Sequence, residues 1–192
     1  MTGDAEPDGR RRRGLRRRGL LVEAVLAVIA RDGVAGVTHQ AVAAEAGLPR
    51  SAVSHHFDSL DDLLVTALRS GTEQIVAEAA GADPSWLATE LVGLFTANRA
   101  RVAAGYELYA LAARRPGLRD AVRLWLDLLA DLAGRHTGDP ARVRTFAVAV
   151  DGYFVQCLAT GADAHVDELD ALLRTALGSG YEEGGSSGRS PS

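Results

Sequence analysis

The sequence predicts an all-α protein with a small amino-terminal helical domain followed by a longer helical domain. Apolar residues recur three and four positions apart through most of the chain, as in amphipathic helices, and almost no stretch alternates as a strand would. Glycines and Asp-Pro pairs divide this pattern into segments of helical length. Hydrophobic residues make up 47% of the 192 residues and charged residues 24%, which is typical of a globular chain.

Four helices are predicted before residue 81, and each has a residue suited to its start or its end. Thr38 and Ser59 can accept a hydrogen bond from the first turn of a helix. Gly33 and Gly47 stand where a helix should stop, because glycine tolerates the left-handed conformation of a helix end. These predicted helices cover residues 18–32, 38–46, 49–56 and 59–80.

Five further helices are predicted in the rest of the chain. Asp83-Pro84 and Asp139-Pro140 each place a capping acceptor before a first-turn proline. Pro116-Gly117 breaks the pattern between them. The predicted helices cover residues 84–99, 101–114, 116–136, 140–160 and 165–177.

Both ends of the chain lack the helical period. Residues 1–17 are charged and residues 179–192 are rich in glycine and serine, so we predict that both are disordered. The predicted division is an arm over 1–17, a first domain over 18–65, a second domain over 66–178 and a tail over 179–192.

Charge is distributed unevenly along the chain. From Gly9 to Phe57 there are nine arginines and three acidic residues, a net charge of +6, whereas the chain from Asp58 onward carries −7. Seven of those arginines fall between Arg10 and Arg18. A basic amino-terminal third on an acidic body is typical of a protein that contacts nucleic acid with one end, although a solvated charged face gives the same count.

Composition and spacing argue against several classes of protein. No apolar run reaches the ~18 residues of a membrane span, and no apolar signal-peptide region follows the basic start. A single cysteine, Cys157, agrees with a reducing compartment, so we predict a cytoplasmic location. The pair Asp61-Asp62 suits the positive start of a helix, and the histidines lack ligand spacing. We therefore predict no metal, no cofactor and no catalytic site.

The most informative stretch runs from residue 38 to residue 57. Two short helices can cross closely where the contact residue is small, as Ala43 is, and the chain can turn sharply at Gly47. Val53 then anchors the second helix, six positions after Gly47. This spacing predicts a helix-turn-helix, although a plain helical hairpin would also satisfy it. The residues left facing outward, where a DNA major groove would lie, are Arg50, Ser51, Ser54 and His55.

Flanking residues make the pattern more specific. The relevant segments are 33–38, 42–43, 46–48, 56–57, and Ser59 with 61–64. Together they resemble the amino-terminal domain of the TetR family of transcriptional repressors over residues 18–70 without a gap. The resemblance implies a three-helix helix-turn-helix DNA-binding domain and a carboxyl-terminal helical domain for ligand binding and dimerisation. It also implies a homodimer that binds palindromic double-stranded operator DNA and releases it when a small molecule binds.

The chain departs from the family pattern at phosphate-contacting positions. The family usually has tyrosine at the position of Ser54 and lysine at that of Leu60, and often Gly-Thr at that of Ser51-Ala52. We therefore expect the Arg-rich arm to supply part of the phosphate contact. The predicted DNA-binding residues are Thr38, Arg50, Ser51, Ser54, His55, His56, Arg16 and Arg17.

The second domain offers candidates for the other two implied functions. Glu90 and Glu107, near the aromatic residues in sequence, favour a lipophilic cation as the unknown effector. Apolar stripes over about 140–177, including Val150 and Leu172, predict the dimer interface. Candidate walls of the ligand site are Trp86, Phe95, Tyr106, Tyr109 and Trp125.

Two alternatives stay open at this point. One is an all-helical small-molecule-binding protein or enzyme whose helix-turn-helix is incidental. The other is an architectural DNA-binding protein without a ligand.

Overall fold

A computed structural model describes residues 5–79 and 84–178, apart from the side chains of residues 5–8, 10, 74–79 and 84–86. Within those residues the secondary structure is helical, which confirms the predicted all-α class. The tail over 179–192 and the cap Asp83 lie outside the described residues. The helices are α1 (Ala5–Asp32), α2 (His39–Glu45), α3 (Ser51–His56), α4 (Leu60–Ala79), α5 (Pro84–Ala97), α6 (Arg99–Leu111), α7 (Arg119–Gly134), α8 (Pro140–Thr160) and α9 (Val166–Leu177), with short 3₁₀ helices at Val34–Gly36 and Pro116–Leu118.

Helix α1 begins at Ala5, whereas the sequence predicted a disordered arm up to residue 17 and a helix from residue 18. Arginine is a good helix former, and the core-packed turns from Leu21 onward provide a nucleus from which the helix extends backwards. Arg18 also connects α1 to Phe57 and to α4. Its guanidinium lies 4.8 Å from the centroid of the Phe57 ring, and its Nη2 donates to Thr66 Oγ1 at 3.3 Å.

The chain forms two compact units whose boundaries differ from the predicted ones. Of the described residues, the first unit comprises those up to Gly71 together with Ala103–Val122, and the second comprises those of Thr72–Val102 and those from Arg123 onward. The first unit extends past residue 65 because part of α6 and the start of α7 share its apolar core. The residues that these segments add to the core include Ala104, Leu108, Ala112, Leu118 and Ala121.

The second unit has its own core and its own polar anchor. Phe95 of α5 stacks on Phe154 of α8 with ring centroids 4.9 Å apart. Arg99 Nη2 donates to the carbonyl oxygen of Cys157 at 2.7 Å, and Arg99 Nη1 donates to that of Ala162 at 2.8 Å. The arginine thereby satisfies the carbonyl group of Cys157 in the last turn of α8, where no donor of the helix is available, and that of Ala162 just after the helix.

Several residues predicted to form the dimer interface are buried inside a single chain. Val150 is fully buried, because the core of the second unit lies on that face of α8. The other stripe residues buried in this way are Phe146, Phe154, Leu169 and Leu173. The large apolar side chains that α8 and α9 leave exposed are Val148, Val155 and Leu172, at 63%, 44% and 44% of their full area.

Among the residues described, no helix combines the length and the apolar character needed to cross a membrane.

Candidate nucleic-acid interface

The helix-turn-helix is built as the sequence predicts. Thr38 Oγ1 accepts a hydrogen bond from Ala41 N at 3.0 Å and so caps α2. Gly47 has φ +64 at the end of α2, and Leu48 N donates to Ala43 O at 2.9 Å, the bond that closes a Schellman motif. Ala43 and Val53 are buried, and they set α2 against α3.

Helix α3 presents a polar outer face. Val53 and Phe57 point into the core, with 0% and 3% of their area exposed. The four residues predicted to face outward are exposed: Arg50, Ser51, Ser54 and His55. Ser54 Oγ donates to the carbonyl oxygen of Ser51 at 3.2 Å, so its hydroxyl stays close to the helix surface. This face combines one guanidinium with short polar groups, a set that can donate to and accept from base edges.

The end of α3 lies within electrostatic reach of α1. Burial, together with the positive charges of His55, Arg17 and Arg18, lowers the pKa of His56. The rings of His55 and His56 meet edge to face, with centroids 5.1 Å apart. Arg16 and Arg17 are exposed on α1. The structure therefore brings Arg17 and His56 into one positive region, as an anion-binding surface requires.

Thr38 begins α2 directly after a loop that contacts α6. Glu107 Oε1 accepts a hydrogen bond from Val34 N at 2.6 Å. Glu107 was predicted from its place in the sequence to favour a cationic ligand, but its carboxylate is bound to the loop between α1 and α2. This pairing joins residues 73 positions apart.

The candidate ligand residues do not all fall in one unit. Tyr106 and Tyr109 belong to the first unit, where their ring centroids are 6.2 Å apart. Phe95 and Trp125 belong to the second, where Trp125 Nε1 donates to Asp151 Oδ1 at 2.9 Å. The side chain of Trp86 lies outside the described residues. The half-buried Trp125–Asp151 pair places a carboxylate next to an aromatic ring, a combination that can bind a cationic group.

Sequence reasoning missed three contacts that hold the interface together. Arg18 was counted only as part of the charge run, although it packs on Phe57. The ion pair between Arg115 and Asp61 ties the turn after α6 to the start of α4. The third is the contact of Glu107 with Val34. A single sequence carries no signal for such pairs, because their members are far apart in the chain.

Two family models match the chain. One, described as "Bacterial regulatory proteins, tetR family", covers residues 21–67, and the other, "Tetracyclin repressor-like, C-terminal domain", covers residues 78–179. No curated protein sequence matches the chain significantly.

Solved structures are similar over most of the chain. A TetR-family member from Streptomyces coelicolor A3 has 33% identity and a TM-score of 0.74, with 83% of this chain and 97% of that one covered. The multidrug binding protein EbrR in complex with ethidium has 32% identity and a TM-score of 0.72, covering 83% and 98%. EbrR in complex with imidazole has 33% identity and a TM-score of 0.70, covering 83% and 94%.

Proposed function

The chain belongs to the TetR family of bacterial regulatory proteins, and from that premise we propose that it is a one-component transcriptional repressor. In this proposal a homodimer without catalytic activity binds palindromic operator DNA and releases it when a small molecule binds. It acts in the cytoplasm, on the nucleoid. The observation that carries the proposal is the exposed polar face of α3, flanked by the positive charges of α1.

The runner-up is a helical small-molecule-binding protein or enzyme in which the helix-turn-helix is incidental. The two differ in their behaviour on polyanions and on DNA. A repressor is retained on heparin, is released by salt, and enriches particular sequences from random DNA. A protein with an incidental motif enriches none. An architectural DNA-binding protein would be retained on heparin without a preferred sequence.

The exposed apolar residues of α8 and α9 support the dimer. Val148 and Val155 are seven residues apart on α8, so they lie on one face of that helix, opposite the buried Val150. Leu172 is exposed on α9, which packs against α8. Two such pairs related by a twofold axis would form a four-helix seam and cover these side chains.

The dimer interface can be tested with charged substitutions at exposed positions. Val148→Glu combined with Leu172→Glu is expected to give monomers in sedimentation velocity, because each dimer would bury four unpaired carboxylates. Leu126→Glu on α7 is the matched control, since Leu126 is also an exposed leucine, at 37%, and it should stay dimeric. A double variant that sediments as the wild-type dimer would place the interface elsewhere. Val150 is unsuitable, because a charge there would disrupt the core of the single chain.

For the effector, we propose an amphipathic or aromatic molecule, with a lipophilic cation favoured. The candidate residues in the second unit are Phe95 and Trp125, together with Trp86, whose side chain lies outside the described residues. The carboxylate of Asp151 beside Trp125 supports a cationic ligand, whereas Glu107 is bound to Val34 in the first unit. The similar protein EbrR was crystallised with ethidium, with proflavin and with malachite green, which supports an aromatic ligand.

Operator binding should depend on pH through His56. In the free protein the pKa of His56 is lowered, so at neutral pH the imidazole is uncharged. A DNA phosphate beside it favours the charged form, so binding takes up protons and operator affinity rises as pH falls. We expect about a three- to tenfold gain between pH of about 7.5 and 6, measured by fluorescence anisotropy at fixed salt.

The variant for this measurement is His56→Gln, which should flatten the pH dependence because it removes the group that takes up the proton. A gain of the same size in His56→Gln would assign the proton uptake to another group. The stability of the free protein should change in the opposite direction. Because the pKa of His56 is lowered in the folded state, the free energy of unfolding decreases as pH falls below the ordinary pKa of histidine.

A further inference from the structure

The loop between α1 and α2 begins with a turn that has no local cap. Gly33 precedes the 3₁₀ helix Val34–Gly36 with φ +71 and ψ 174, a region that is essentially restricted to glycine. The first N–H groups of a helix have no partner within it, and glycine has no side chain that could accept from them. The N–H group of Val34 therefore depends on an acceptor from elsewhere in the chain.

Glu107 of α6 is that acceptor. Its Oε1 lies 2.6 Å from Val34 N, and a Cβ atom added to Gly33 would lie 3.3 Å from the same oxygen. A carboxylate at the amino end of a helix forms a charge-assisted hydrogen bond and meets the positive end of the helix dipole. The Glu107 carboxylate therefore lies close to both Gly33 and Val34.

Helix α6 presents Glu107 from a fixed position in the first unit. Ala104 and Leu108, on either side of Glu107 in sequence, are buried in the core at 1% and 0% exposure. The turn after α6 is tied to α4 by the ion pair between Arg115 and Asp61. Glu107 itself is exposed, so it contributes a polar contact and little apolar packing.

The loop that Glu107 holds leads directly to the candidate phosphate contacts. Val37 N donates to Val34 O at 3.1 Å, and Thr38, the next residue, caps α2. The position of Val34 thus determines the position of Thr38, the residue of this segment that is predicted to contact phosphate.

We propose that Glu107 is a positioning residue for operator binding, which holds the α1–α2 loop, and through it Thr38, in the arrangement that contacts phosphate. This inference rests on the proposed function. It assigns to Glu107, which falls within the second domain predicted from the sequence but in the first unit of the structure, a role in DNA affinity that needs no ligand.

Three substitutions separate the hydrogen bond from the charge. Glu107→Gln keeps the length and an acceptor oxygen, Glu107→Asp keeps the charge but is one methylene shorter, and Glu107→Ala loses both. We expect Glu107→Ala and Glu107→Asp to weaken operator binding by about tenfold and Glu107→Gln by less than about threefold. Asp131→Asn, which removes an exposed carboxylate of α7, is the control for charge and should bind at least as tightly as the wild type.

The direction in which Glu107→Ala changes operator affinity distinguishes lost positioning from lost charge. Loss of a negative charge from a DNA-binding protein by itself strengthens binding, so a weaker Glu107→Ala variant points to lost positioning. Hydrogen exchange at the Val34 amide of the full-length protein gives a second measurement, and exchange should be faster in Glu107→Ala but close to wild type in Glu107→Gln.

Operator binding by Glu107→Ala that equals or exceeds that of the wild type would overturn the inference, as would an unchanged Val34 amide. If the wild-type chain selects no DNA sequence, the proposed function fails and this inference fails with it. The Val34 amide would then still show whether Glu107 holds the loop, so the two failures can be told apart.

Discussion

Replacing Arg50 with alanine is expected to weaken binding to the operator by about ten- to hundredfold per half-site, because a bidentate arginine–guanine contact is worth ~1–3 kcal/mol of discrimination. Arg50 is exposed at the start of α3, where the guanidinium can reach base edges. Binding to random DNA should fall much less, since it depends on phosphate contacts. Titrations of both DNAs at one salt concentration measure the two effects.

The control for this substitution is Arg114→Ala. Arg114 is an exposed arginine of the first unit that follows α6, so its loss changes net charge equally but removes no residue of α3. It should leave the ratio of specific to random binding unchanged. Equal losses on both DNAs in Arg50→Ala would show that Arg50 contacts phosphate and reads no base.

Deleting residues 1–17 is expected to weaken binding to every DNA sequence and to flatten its salt dependence. The deletion removes six arginines from each chain. If about two or three of them neutralise phosphates, a dimer loses roughly five contacts, and the slope of log K against log salt becomes shallower by about 4–5. The base preference set by α3 should persist, because phosphate contacts carry no sequence information directly.

A substitution variant separates charge from structure in this experiment. Replacing Arg11, Arg12 and Arg13 with glutamine keeps the length and helical propensity of α1 while it removes three charges per chain. It should reproduce part of the change in slope. A salt slope that is the same in the wild type, the deletion and the glutamine variant would show that this part of α1 does not touch DNA.

Much of the DNA-binding unit could be predicted from the sequence because its signals are local. Ala43, Gly47 and Val53 act within one short motif, and glycine at a positive φ is a requirement that a turn imposes on a single residue. The four outward residues of α3 follow from the helical period once Val53 is known to point inward. The caps at Thr38 and Asp139 were recognisable for the same reason.

Other features could not be predicted because they depend on which elements pack together. Periodicity indicates that Val150 is buried but does not tell a core inside one chain from an interface between two. Likewise, Leu108 was part of a helix assigned to the second domain, yet it packs in the core of the first unit. The charged residues before residue 18 predicted a disordered arm, whereas α1 continues through them from Ala5.

Selection of binding sites from a pool of random double-stranded DNA tests whether this chain binds an operator. A twofold dimer with one α3 in each major groove should enrich an inverted repeat whose half-sites are about one helical turn apart or a small multiple of it. Arg50→Ala should enrich a version of the same repeat with one relaxed guanine position in each half-site. A pool that stays random after repeated rounds, with the wild-type protein folded and dimeric, would contradict the claim that this chain is an operator-binding repressor.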